Sequence, residues 1–273
     1  MKKITLLLMG LVAMTGMVSC DDKDPDQTAQ FQQEYYIRSV NIDDQSVQFS
    51  KSVSVINVNY TKDLMDITVT VKLNASSSTT IQLKELALAY DAYTGMFSIK
   101  KGATTTVSDG AIVDNFDGTF DYNTGVMYLN FFVDGKYHVV CTTRLLYPYG
   151  KSTSTYEKEG QTKTCTVDDF CLALELNDEG TKANMTLYNV QLETEKDKVI
   201  YIEYASVPVT VNVVGYNLEA ASLEAKIDNL VKPDYDITDF KATITENGRR
   251  INGSFIINGH TVAFNAKMLN EKE

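Results

Sequence analysis

The chain reads as an all-β protein: two tandem antiparallel β-barrel or β-sandwich domains related by internal duplication. Three observations lead there. First, apolar residues recur with a period of two in short runs. "DITVTVKL" alternates through Ile67, Val69, Val71 and Leu73, and "VPVTVNV" through Val207, Val209, Val211 and Val213. That period marks half-buried strands. Second, turn residues such as "NASSSTT", "DGA" and "ENG" separate the runs. Third, residues 115–145 lie over 239–269 at a constant offset of 124 without a gap. Phe116 then matches Phe240, Thr119 Thr243, Asn123 Asn247, Phe131 Phe255, Gly135 Gly259 and Leu145 Leu269. Further upstream, Ile81-x-Leu83 lies over Ile200-x-Ile202 and Gly95 over Gly215, at offsets near 120. Shared order and shared turn chemistry point to a repeat. Strand spacing leaves barrel and sandwich both open.

The elements follow in chain order. Lys2 and Lys3 precede an apolar stretch from Ile4 to Val18, followed by Ser19-Cys20. It is too short for a spanning helix of about 20 residues, so 1–19 reads as an export signal. Its end, "MVSC", resembles a lipobox, with Met17 in place of the usual Leu. The resemblance implies cleavage before Cys20 and lipidation of that residue; the alternative is an ordinary signal peptide with an incidental cysteine. Residues 20–34 read as a lipidated, flexible tether, because "DDKDPDQTAQ" has many charges and no period. The acidic run behind the cysteine resembles the surface-export signal of Bacteroidetes outer-membrane lipoproteins; a plain spacer would leave the protein facing the periplasm. Removing 1–19 leaves 23 basic and 36 acidic side chains, a net of −13. Such a chain repels nucleic acid and anionic lipid surfaces. No second long apolar run exists, so the acyl chains are the expected membrane attachment.

A first β domain is expected over 35–147, a linker over 148–163 and a second β domain over 164–273. The linker reading rests on "PYGKSTSTYEKEGQTKT", which is polar and lacks an apolar period. Alternation slips between Leu83 and Leu86, and again between Ile202 and Val207. A bulge at each slip would bend the strand. Pro208 must sit at an edge or bulge. Residues 218–230, "LEAASLEAKIDNL", are where a helix is conceivable, with a loop as the alternative. Two-residue turns are expected at Asp134-Gly135 and Asn258-Gly259. In the second hairpin this gives one apolar face with Phe255, Val262 and Phe264, and one wet face. In the first, Phe131, Leu129, Met127 and Val140 make the core side. Phe132, Tyr137, Tyr128, Val139 and Cys141 then make a second apolar face. Tyr128, Phe132 and Tyr137 are therefore the candidate interface, to be covered by the other repeat or else by a partner or ligand.

The second copy, "MTLYNVQL … VPVTVNVVGYNL … ITDFKATITENGRRINGSFIINGHTVAF", resembles the calycin-like (lipocalin-like) domain of Bacteroidetes lipoproteins. The likeness spans 165–269 closely and 47–146 loosely. It implies a small antiparallel barrel and no catalytic motif.

The search for chemistry is mostly negative. There is no G-x-S-x-G elbow, H-E-x-x-H, phosphate loop or C-x-x-C. His138 and His260 are the two histidines, one per copy. They are either hairpin packing residues or a haem- or metal-ligating pair lacking a third ligand. Neighbouring carboxylates at Asp43-Asp44 and Asp168-Asp169 fall on opposite strand faces and form no acid/base dyad. Asp117, Thr119, Asp121 and Asn123 share one strand face, solvated or offering oxygen ligands to Ca²⁺ without the glycine of an EF-hand. Cys165 and Cys171 lie too far apart on one strand to bridge. That leaves Cys141, Cys165 and Cys171 as free thiols or a bridge from Cys141. Sixteen Tyr and no Trp suit sheet packing as well as sugar or protein contact. Tyr35, Tyr36, Tyr90, Tyr93, Tyr147, Tyr149 and Tyr156 lie near turns or the linker.

The sequence thus predicts a non-catalytic surface or periplasmic lipoprotein of the outer membrane, needing no cofactor. It would bind an apolar small molecule, a glycan or a protein. A structural or assembly subunit of an outer-membrane complex is the alternative, and haem or metal capture a third reading.

Overall fold

The computed structural model describes residues 28–59, 62–92, 96–100, 110–121, 125–245 and 248–268. The signal, Cys20, the first part of the tether, Tyr93, Gly95, Asn123, Asn247 and Leu269 lie outside the described residues.

Eight strands form the first unit: β1 Thr28–Asn41, β2 Val47–Asn59, β3 Leu64–Asn74, β4 Ser77–Asp91, β5 Met96–Lys100, β6 Val113–Asp121, β7 Met127–Val133 and β8 Tyr137–Thr142. Each pairs antiparallel with the next, and β1 pairs with β8, so the sheet closes on itself. The second unit begins almost at once, with β9 Leu145–Lys158, β10 Gln161–Leu176, β11 Lys182–Val190, β12 Val199–Val211 and β13 Tyr216–Leu223. A small hairpin follows, β14 Ala225–Ile227 and β15 Leu230–Val231, then β16 Ile237–Thr245, β17 Arg250–Ile257 and β18 His260–Lys267. Here β9 pairs with both β10 and β18, and β11 with β12, so this sheet closes too. The β14–β15 hairpin hangs on β12 outside the ring. The chain is therefore two closed eight-stranded antiparallel barrels in tandem. Unbroken pairing around each ring decides between barrel and sandwich.

The repeat is visible strand by strand, β1 with β9 through β8 with β18. Both expected bulges are present at matching places. Pairing shifts between Met65 and Ile67 opposite Glu85 (φ 53), and between Ala183 and Met185 opposite Ser206 (φ 57). Pro208 follows directly, where β12 passes from β11 to β13, so its missing N–H costs no ladder bond in a regular stretch. A second matched pair of bulges flanks Asn115 and Asp239. Within it, Phe116 stacks on Phe131 at 6.1 Å and Phe240 lies tilted against Phe255 at 6.5 Å. The offset of 124 holds in these strands. Around the first bulges the equivalents are Leu83 and Tyr204, so the upstream pairing of Ile81 with Ile200 is two residues out.

Each barrel is filled by its own side chains, except at the end of the second where Tyr36 of β1 joins its core. Ile37, Ile56, Ile67, Val69, Leu83, Leu129, Phe131 and Cys141 occupy the first. Tyr147, Phe170, Leu187, Tyr204, Phe240, Phe255 and Phe264 occupy the second. Eight strands leave an interior just wide enough for this.

Four expectations need correction. The expected linker, 148–163, is the β9–β10 hairpin of the second barrel, and only Thr143 and Arg144 join the barrels. Two of its inward positions are small and polar: Ser152 and Ser154 are buried beside Val167, Cys165, Val262 and Phe264. Serine there makes room for the large rings, and composition cannot show that. The last seven residues of the expected tether belong to β1, where ladder bonds to β2 from Thr28 to Glu34 order them. Residues 218–230 hold no helix: 218–223 end β13, and 225–230 belong to the small β14–β15 hairpin, because pairing with β16 and β12 overrides the helix-forming composition. The Asp134-Gly135 turn has a third residue, Lys136, and Val133 faces Tyr137. One residue of slip exchanges the faces of β8. Val139 and Cys141 point inward with Phe131 and Leu129, while His138 and Val140 join Phe132 and Asn130 outside.

Candidate functional site between the barrels

Inward residues Tyr35 and Ile37 on β1 leave Tyr36 and Arg38 on its outer face. Their cross-strand partners on β2 are Lys51 and Phe49. Near them on the same wall stands Tyr128, opposite Thr142 of β8. Facing this wall is one end of the second barrel, formed by the start of β9 and the turns after β10, β12 and β16.

The wall closes that end. Tyr36 is buried within the core cluster of the second barrel, and Phe49 packs against it. Phe49 stacks on Tyr36 at 6.5 Å and meets Tyr216 edge-on at 6.4 Å. The turn after β10 can approach only because residue 180 is glycine. A Cβ there would lie 2.6 Å from the Phe49 ring, and its φ is +67.

Arg38 is fully buried and donates through Nη1 to the carbonyls of Asn212 and Val213 in the second barrel. Burial pushes its pKa down, while the phenols of Tyr216 and Tyr128 hold it up. Arg249, from the turn after β16, lies 4.5 Å above the Tyr128 ring and bonds Asp117 at 2.8 Å. Burial drives the Tyr128 phenol well above its ordinary range.

Beside this apolar seam is a polar cleft of about 410 Å³. Lys51 lines it from the first barrel; Glu175, Asp178, Glu179, Lys182 and Asn184 line it from the β10–β11 hairpin, with Ser206 at the β12 bulge. Lys51 bridges the barrels, 3.1 Å from Glu34 and 3.7 Å from Asp178. Partial burial would lower its pKa, but the two carboxylates and Tyr36 outweigh that and raise it. Asn177 fixes the hairpin: its Oδ1 accepts from the amides of Thr181 and Lys182, and its Nδ2 donates to Glu179. The cleft thus offers carboxylates, ammonium groups and a carboxamide, nearly balanced in charge.

The expected interface residues divide. Tyr128 lies at the seam under Arg249. Phe132 stacks on His138 at 4.8 Å on the outer wall of the first barrel. Tyr137 turns inward and packs against that barrel's core, with Lys136 over its ring. The three do not form one face, because of the slip at Lys136. His138 bonds Asn130 at 2.6 Å, and burial, then Arg38, lowers its pKa. His260 lies in the other barrel, at the end away from the seam, 3.6 Å from Glu193. The histidines are not brought together, and no cluster of three metal-ligating side chains occurs among the described residues. Among the described residues Ser154 Oγ has no hydrogen-bond partner, so His260 is not bonded to it as a base.

Asp168 and Asp169 both point outward, since a bulge between Val167 and Phe170 takes up both residues; they bond different lysines, Lys151 and Lys198. The expectation of opposite faces fails there, although no dyad forms. Asp117 spends its carboxylate on Arg249. Cys141, Cys165 and Cys171 are free thiols in the two barrels. Burial raises Cys171 to about 11. The tyrosines scatter: Tyr35 and Tyr147 are buried, Tyr90 and Tyr149 exposed. Sequence reasoning missed Arg38, Lys51 and the β10–β11 hairpin. The one available signal was Arg38 itself, a charge inside the apolar run "YYIRSV".

No protein-family model matches the chain, and no curated protein matches its sequence. Among solved structures it is similar to a double mutant of transferrin binding protein B from Haemophilus parasuis Hp5. The identity is 10%, the TM-score 0.25, and the match covers 89% of this chain and 76% of that one. It is also similar to Burkholderia oklahomensis agglutinin, at 9% identity and TM-score 0.17, covering 86% and 94%. A third likeness is to Myxococcus xanthus hemagglutinin in complex with a3,a6-mannopentaose, at 10% identity and TM-score 0.16, covering 86% and 99%. At these TM-scores the likenesses carry no weight for fold or function, which rest on the geometry itself.

Proposed function

We propose that the protein is an exported, non-catalytic binding lipoprotein, anchored through Cys20 and displayed at the outer membrane, that holds a glycan in the cleft between its barrels. The observation that carries this is the cleft of about 410 Å³, lined by the β10–β11 hairpin and Ser206 of the second barrel and by Lys51 of the first, with polar groups of both signs. Filled barrel interiors weigh against an apolar ligand inside either barrel. Balanced charge weighs against a strongly anionic or cationic ligand. A neutral polyhydroxyl ligand both donates and accepts, which suits Glu175, Lys182 and Asn184 together.

An array of neutral oligosaccharides probed with the mature protein tests the reading. Binding is expected, and it should be lost on Asn184→Ala with Lys182→Ala. Hits that survive the double variant would move the site elsewhere. Binding to a surface protein in place of any glycan, abolished by the same variant, would keep the cleft and change the ligand class. Cys20→Ala should release the protein from membranes on fractionation; unchanged partitioning would overturn the anchor.

A further inference from the structure

The repeat supplies its own control for the far end of the second barrel. In the first barrel, β3 and β4 are joined by a tight turn, with Asn74 paired to Ser77. The equivalent strands β11 and β12 also pair to their ends, Val190 with Val199. Yet eight residues, 191–198, intervene where two suffice. Extra length in a connector between paired strands needs a use.

The added residues cross the mouth. Glu193 reaches β9 and β18, which lie two and three strands around the ring from β11. Its carboxylate is 2.5 Å from Lys196, 3.7 Å from Lys158 on β9 and 3.6 Å from His260 Nε2 on β18. Lys158 also bonds Glu195 at 2.8 Å. Leu192 packs on the barrel core, and Lys198 returns to Asp169 at 2.6 Å. Gln191 holds the span in shape by donating to the carbonyls of Thr194 and Lys196.

What lies beneath is unlike the rest of the interior. Tyr156 and His260 stand side by side at 5.0 Å, and the next layer inward holds Ser154 beside Cys165. Ser154 Oγ and His260 Nε2 are buried without a hydrogen-bond partner among the described residues. Buried polar atoms are ordinarily paired, and an unpaired set under a removable cover is a place for a small polar guest. The His260 Nδ1 sits 2.9 Å from the Asn258 carbonyl, so it carries a hydrogen, and Nε2, which faces Glu193 of the cover at 3.6 Å, is the group uncovered for such a guest when the cover lifts.

We propose that residues 191–198 form a lid over the far mouth of the second barrel, latched by Glu193, and that the polar layer beneath opens into a chamber for a small hydroxylated molecule when the latch is released. The latch is ionic and near the surface, so opening is a local event of modest cost. The chamber is separate from the cleft between the barrels, and its test does not depend on that cleft.

Cys165 reports on the chamber, and Cys141, buried in the first barrel, is the internal control. Iodoacetamide labelling of the mature chain carrying Cys171→Ser, read residue by residue by mass spectrometry, gives both rates. Glu193→Gln should raise the Cys165 rate about fivefold by loosening the latch, with the Cys141 rate unchanged. Lys158→Gln with Lys196→Ala should act in the same direction and stands in if Glu193→Gln folds poorly. An unchanged Cys165 rate overturns the lid. A rise shared equally by Cys141 overturns it too, since global unfolding would then be the cause. With the lid opened by Glu193→Gln, glycerol at high concentration should slow Cys165 labelling; if it does not, the chamber holds no such guest.

Discussion

The hairpins β7–β8 and β17–β18 occupy the same place in the two barrels and begin from nearly the same residues, Phe131 with Asp134-Gly135 and Phe255 with Asn258-Gly259. They differ by one residue in the turn. Asn258 and Gly259, at φ 47 and 76, complete a two-residue turn that closes on His260. In the first barrel the chain needs Lys136 as well before Tyr137 can pair with Val133. That single residue decides which side of β8 is wet. It turns an apparent second apolar face into a mixed one and leaves Tyr128 as the residue of that face at the seam. A register is set by turn geometry, and a period of two makes a one-residue error total.

The comparison extends to the barrels as wholes, and it can be broken at several points. The largest effect is expected from cutting at the apparent linker. A fragment of 164–273 lacks β9, which bridges β10 and β18, so the ring cannot close. No cooperative melt should be seen, whereas 143–273 should fold with a lowered Tm because Tyr36 and Phe49 no longer cover its mouth. Equal behaviour of the two fragments would dissolve the assigned boundary.

Next comes deletion of Lys136. It would give the first hairpin the turn of the second, and point Val139 and Cys141 at solvent and His138 at the core. A loss of about 4 kcal/mol or more is expected in chemical denaturation. A near-neutral result would mean that β8 can re-register. Arg38→Met is expected to cost about 2–3 kcal/mol, since the carbonyls of Asn212 and Val213 lose a buried charged donor. Denaturation of the full chain should then separate into two transitions as the barrels uncouple. The smallest effect is expected from Phe132→Ser, about 1 kcal/mol with the barrels still docked, because Phe132 stacks on His138 within the first barrel. A split melt from Phe132→Ser would restore it to the interface.

Much of the architecture was legible. Alternating runs such as 67–73 marked strands, slips at 83–86 and 202–207 marked bulges, and the aromatic pair repeated at an offset of 124. These signals are local, or depend on a period that survives divergence. Residues 148–163 were not legible as strand, because the inward Ser152 and Ser154 are matched to Phe264 and Cys165, partners more than ten residues away. The site was less legible still. Lys51 and Asp178 meet only because the second barrel docks end-on against the wall of the first.

The sequence by itself determined the all-β class, the duplication, the bulges and the Asn258-Gly259 turn, since each follows from backbone preference and alternation within a few residues. Tertiary structure alone decided ring closure, the register of β8, the burial of Arg38 and the cleft beside it. The physical reason is the same in each case. Closure, docking and the burial of small polar residues depend on which distant strands are brought together, and no local period carries that information.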